Sequence, residues 1–133
     1  MPIRTVVKGP AYEICAWVDK SGQCDLEDFF RELRATGHKD LAKIHWLLKR
    51  TAEHGIPKNK ELSRDLEGEH AKGIFEFKAN AVRVMWFFDE NRIIVCTHGF
   101  LKKSQKTKKR EIVQAIDGKR RYFDESEGKK RDG

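Results

Sequence analysis

The chain has 133 residues, 38% apolar and 37% charged, so it is long enough for one domain whose small core lies under a heavily ionic surface. Its formal charge is +7, and residues 99–133 hold 12 Lys and Arg against 6 Asp and Glu, leaving 16 against 15 in residues 1–98. A positive field confined to the C-terminal third points to a polyanionic partner, and the lack of an 18-residue apolar run excludes a membrane-spanning helix.

The first residues, MPIRTVVKGPAYEI, contain no apolar stretch of the kind a secretory signal needs. Cys15, Cys24 and Cys96 are odd in number and have no metal-type spacing, so a reduced, cytoplasmic protein with no cofactor is expected. Residues 3–7 read as an extra extended segment, broken by Gly9 and Pro10. Residues 12–18 alternate, with Tyr12, Ile14, Ala16 and Val18 on one face, and predict a strand. Asp25 is placed to cap a helix in which Leu26, Phe29, Phe30 and Leu33 form an apolar stripe. Gly37 ends it, and a second helix runs from about Lys39 to His54. Residues 56–72 are polar and irregular and predict a loop.

Three strands follow, at 74–78, 82–88 and 93–101, joined by short turns as an antiparallel meander. In the second, Val82, Val84, Trp86 and Phe88 oppose Arg83, Met85 and Phe87. In the third, Ile94, Cys96, His98 and Phe100 share a face. A last helix begins near Thr107 with Ile112, Val113 and Ile116, and Gly118 ends or kinks it. The expected class is α+β: an antiparallel sheet of about four strands with the helices packed on one face, in the order β-α-α-β-β-β-α. Residues 1–117 are expected to form the domain, and residues 118–133 a charged, partly disordered tail in which Tyr122 and Phe123 are candidates to dock.

Ionised side chains inside short strands cost stability unless they are paired or exposed. Lys78 and Arg83 therefore have two readings. Either they pair, Arg83 with Glu76 or Asp89, or they serve as a rigid fork for phosphate. The segment from Lys102 to Arg110 holds six Lys and Arg and no acid, and it strengthens the phosphate reading. Lys102, Lys103, Lys106, Lys108, Lys109 and Arg110 are its cations, and Ser104 or Thr107 is placed to cap the helix behind it. Phe100 is positioned to stack on a base. His98 is a candidate proton carrier, with a satisfied sheet histidine as the plainer alternative. A metal pair of Cys96 and His98 lacks a third ligand.

The runs Gly73-Ile74-Phe75-Glu76-Phe77-Lys78, Arg83-Val84-Met85-Trp86-Phe87-Phe88 and His98-Gly99-Phe100-Leu101-Lys102-Lys103-Ser104-Gln105-Lys106-Thr107 resemble the phage-derived, HigB-type branch of the RelE/ParE toxin superfamily. The resemblance covers roughly residues 10–117. It implies a toxin that cuts mRNA on the ribosome without a metal, the 2′-OH attacking the adjacent phosphate. It also implies a helix-turn-helix antitoxin as partner. Carried onto this chain, it makes Arg83 the phosphate contact, Lys78 its basic neighbour, and Lys102 and Lys103 the basic pair, with Glu76 or His98 moving a proton. The chain departs from the pattern at Lys108, where relatives often have Pro, and near its end, where only Tyr122 stands for the usual tyrosine. Two alternatives keep the basic face: a ParE-like gyrase inhibitor and a non-enzymatic RNA-binding phage accessory protein.

Overall fold

In the computed structural model, residues 2–66, 71, 73–103 and 109–132 are described, the side chains of 127–132 excepted. The elements are β1 (Ile3–Lys8), β2 (Glu13–Trp17), α1 (Asp25–Ala35), α2 (Leu41–His54), β3 (Ser63–Asp65), β4 (Phe75–Ala79), β5 (Val82–Asp89), β6 (Ile93–Leu101) and α3 (Lys109–Asp132). The class is α+β, as the order of patterns predicts. The sheet is larger than expected: six strands in the order β1-β2-β6-β5-β4-β3. It is also mixed, because β2 lies parallel to β6 while every other pair is antiparallel. The two helices between β2 and the meander make that parallel pairing possible, since a crossover of this length returns the chain in the same direction.

The extra strands are the two edges. β1 is the extended segment preceding Gly9. β3 lies within the stretch expected to be a loop, where three polar residues carry no alternation. The helix boundaries follow the apolar stripes, with small differences. Cys24, not Asp25, occupies the N-cap of α1, and Asp25 is its first helical residue.

The helices do not share one face. Alternation along the strands sends Ile14, Ala16, Phe77, Val82, Val84, Trp86, Ile94 and Cys96 toward α1 and α2, where Leu26, Phe30, Leu33, Ile44, Leu47 and Leu48 complete the main core. The other face carries Trp17, Met85, Phe87 and Val95, which pack against Ile112, Ala115 and Tyr122 of α3. The face expected to be bare is thus half covered by the last helix. Ile112 turns inward as expected, but Val113 and Ile116 are exposed and Ala115 takes the buried place. Gly118 does not end α3, which continues to Asp132. It lies buried inside the helix, where a Cβ would stand 3.2 Å from Thr97 Cγ2, so its lack of a side chain lets α3 lie close on β6. Tyr122 docks beyond it, its hydroxyl donating to Asp89. No described helix is long and apolar enough to cross a membrane.

β6 changes phase midway. Trp86 pairs with Cys96, but Met85 pairs with His98, leaving Thr97 as an extra residue. The single alternation expected for Ile94, Cys96, His98 and Phe100 is therefore split. Ile94 and Cys96 face α1 and α2, whereas His98 and Phe100 face the α3 side. Cys96 and His98 consequently do not look toward a common point, which removes the geometry a metal pair would need.

Candidate nucleic-acid interface

α3 covers one half of its sheet face and leaves the other half, formed by the ends of β3, β4, β5 and β6, to charged residues. Register places them. Arg64 of β3 opposes Glu76 of β4, and Lys78 opposes Arg83 of β5. Arg83 in turn opposes Phe100 of β6, and the chain leaving β6 is pinned by the Lys102 N–H donating to the Ala81 carbonyl at 2.7 Å. Lys102 lies close enough to feel the charges of Arg83, Glu76, Arg64 and Lys78. Four cations therefore gather around a carboxylate with no exposed surface.

The cluster is held by a small set of bonds. Arg64 Nε donates to Glu76 Oε1 at 2.8 Å, and Arg83 Nε stands 3.9 Å from the same oxygen. The guanidinium of Arg83 also donates to the carbonyls of Asn80 and, at 3.2 Å, Val82. Asn80 takes a left-handed backbone conformation in the β4–β5 turn. Its side-chain amide donates to Asp40 at the start of α2 and its amide oxygen accepts from Lys43. The turn that holds Arg83 is thereby fastened to the opposite layer. Lys78 Nζ donates to the Lys60 carbonyl at 3.1 Å. Burial, then the neighbouring Arg83 and Arg64, lowers the pKa of Lys78. Burial, then Arg83, does the same to Lys102. Burial also lowers that of Arg83, partly countered by Glu76. Clustered like charges of this kind favour any anion that enters among them.

Of the two readings of Arg83, pairing is the one observed. It is paired with Glu76 and buried, so it forms the floor of the cluster. Lys78 and Lys102 are half-buried and Arg64 keeps 35% of its side-chain surface, so these three present charge outward. Phe100 is half-buried beside them. Lys103 is exposed at the end of the strand, and Lys109 and Arg110 are exposed in the first turn of α3. Lys106 and Lys108 lie outside the described residues, as do Ser104 and Thr107.

His98 is placed differently. It is 3% exposed, with Nε2 3.0 Å from Glu111 Oε2 and Nδ1 3.1 Å from Thr97 Oγ1. Burial lowers its pKa against the opposing pull of Glu111. This is the plainer alternative for His98: a satisfied histidine that locks the first turns of α3 to β6. Among the described residues no three His, Cys, Asp or Glu side chains gather as metal ligands would. Two partners were invisible to sequence reasoning. Arg64 lay in a stretch read as loop, and Glu111 is 13 residues from the histidine it meets. The only signal for Arg64 was its charge in a polar segment.

Residues 31–120 match the model of a family described as Phage derived protein Gp49-like (DUF891). No curated protein matches the chain.

Proposed function

Because the chain belongs to the Gp49-like family of phage-derived proteins, which is RelE/ParE-like, we propose that it is a toxin of the HigB type that cleaves mRNA on the ribosome. One observation carries the reading: Arg64, Lys78, Arg83 and Lys102 gather around Glu76 on one exposed half of a rigid sheet. Cleavage by the neighbouring 2′-OH forms an O2′–P bond and breaks P–O5′, leaving a cyclic phosphate and a 5′-hydroxyl. Negative charge builds on the phosphoryl oxygens in the transition state, and preorganised cations stabilise it there. Lys78 and Lys102 meet the phosphate, and Arg83 holds the floor beneath them. Their lowered pKa values also bring the lysines closer to the range useful for proton transfer. Glu76 and His98 suit that task less, being buried and already engaged with Arg64 and Glu111. The partner is a cognate helix-turn-helix antitoxin, and the protein acts in the cytoplasm, where its substrate is.

Inducing the protein should arrest growth and generate new mRNA 5′ ends within codons. A Lys78→Ala, Lys102→Ala double variant should stay folded, since neither ammonium is deeply buried, and lose cleavage by a factor of about 100 or more. A folded double variant that cuts as well as wild type would overturn the assignment. Broken DNA without new mRNA ends would move the function to a gyrase inhibitor.

A further inference from the structure

The cation cluster does not stop at the sheet face. A cleft of about 590 Å³ wraps over the β3 edge, and Arg64 and Lys78 line it together with Lys58, Lys60, Asp65 and Phe75. Arg64 and Lys78 belong to the α3 face, whereas Phe75 belongs to the face of the two helices, so the cleft runs from one face to the other. Lys58 and Lys60 are exposed, and the chain that carries them is fixed. Leu62 and Ser63 N–H groups donate to the Asn59 carbonyl, the Lys78 N–H to the Leu62 carbonyl, and Lys78 Nζ to the Lys60 carbonyl. Phe75 stacks on Trp86 with ring centroids 4.5 Å apart, which holds its ring at the cleft wall.

We propose that this cleft is a second phosphate-binding subsite, which carries the backbone of single-stranded RNA from the sheet face over the β3 edge. The proposal rests on the reading of the sheet cluster as an RNA site and extends it to residues outside that cluster. Edge strands are often guarded by lysine against unwanted pairing. Here Lys58 and Lys60 precede the strand rather than lie on it, and they flank a hollow instead of a flat edge. Four cations along a continuous path, with an aromatic wall between them, is the pattern that tracks a sugar-phosphate chain and leaves room for a base. Asp65 repels a phosphate and a carboxylate alike, so the choice between them rests on Phe75: its ring can stack on a base, whereas an acidic protein segment finds no such partner there.

The test is equilibrium binding of an uncleavable 2′-O-methyl oligoribonucleotide of about 12 nucleotides, measured against salt for wild type and a Lys58→Ala, Lys60→Ala double variant. Both residues are exposed, and the only described hydrogen bond at either is to a backbone carbonyl, so the fold is preserved. Each phosphate neutralised on a single strand steepens the fall of log K with log salt by about 0.7, so removing both lysines should make the slope shallower by about 1.4. Wild-type binding with an unchanged slope in the variant overturns the cleft while leaving the sheet cluster intact. No oligonucleotide binding by wild type overturns both. A variant that keeps oligonucleotide binding but loses binding of an oligoglutamate peptide would make the cleft a protein-docking surface, and the proposal fails.

Discussion

The two faces of the sheet are made by the same strands and solve opposite problems. Toward α1 and α2 the strands present Ile14, Ala16, Phe77, Val84, Trp86, Ile94 and Cys96, and the helices close over them with leucine, isoleucine and phenylalanine. Toward α3 the same strands present Glu76, Lys78, Arg83 and His98 among Met85, Phe87 and Val95. One face can afford the charges because the other supplies most of the apolar burial, at about 25 cal/mol for each Å² removed from water. The lesson is a division of labour within single strands, residue by residue, rather than between domains.

The largest break in that division comes from the apolar side. Trp86 has no exposed surface and lies between Phe75 and Phe77, with centroids 4.5 and 4.9 Å away. Trp86→Ala should cost about 3–5 kcal/mol in urea unfolding. If the loss is below about 1 kcal/mol, the two-helix face is not the main source of stability. Glu76→Gln tests the charged side. It keeps the shape but leaves Arg64 and Arg83 without their counter-charge, so a loss of about 1.5–3 kcal/mol is expected. That loss should shrink when sulfate or phosphate is added, because an anion bound at the outward-facing Arg64, Lys78 and Lys102 supplies counter-charge from the solvent side. A deficit that ignores added anion would show that the cations do not form one site.

The smallest effect belongs to His98, where the two kinds of residue meet. Its pKa is lowered in the folded protein, so between that value and the ordinary 6.5 the unfolded chain binds more protons. Stability therefore falls as pH drops below about 6.5 and levels off once the pH passes the folded value, with a slope of at most about 1.4 kcal/mol per pH unit. His98→Gln should flatten this segment of the stability profile. A profile that keeps its slope in the variant would assign the effect to another group, such as His45, whose pKa burial also lowers.

Much of this was legible in the sequence because the apolar alternation in residues 75–101 is strong and uninterrupted by Gly or Pro until Gly99. It fixed the three central strands to within a residue and put Lys78 and Arg83 on the correct face. It also marked Lys102 as part of the charged end. What stayed hidden has specific causes. β3 has the sequence Ser-Arg-Asp, and no apolar period announces a strand of that kind, so Arg64 went unrecognised. The parallel pairing of β2 with β6 depends on where the crossover helices dock, which periodicity does not encode. The side of the sheet chosen by α3 depends on Gly118 meeting Thr97 and Tyr122 reaching Asp89, contacts between residues far apart in the chain.

Thr97 acts on β6 as a half-period offset acts on a wave: everything after it is read in the opposite phase. With unbroken alternation through Thr97, His98 would point at α1 and Gly99 away from it. As built, Gly99 faces α1, and even one added carbon there would lie 2.2 Å from the Phe29 ring. The spacer and the glycine are thus one device. The offset delivers to a crowded wall the single residue that fits, and by the same displacement hands the imidazole and the Phe100 ring to the charged half of the molecule.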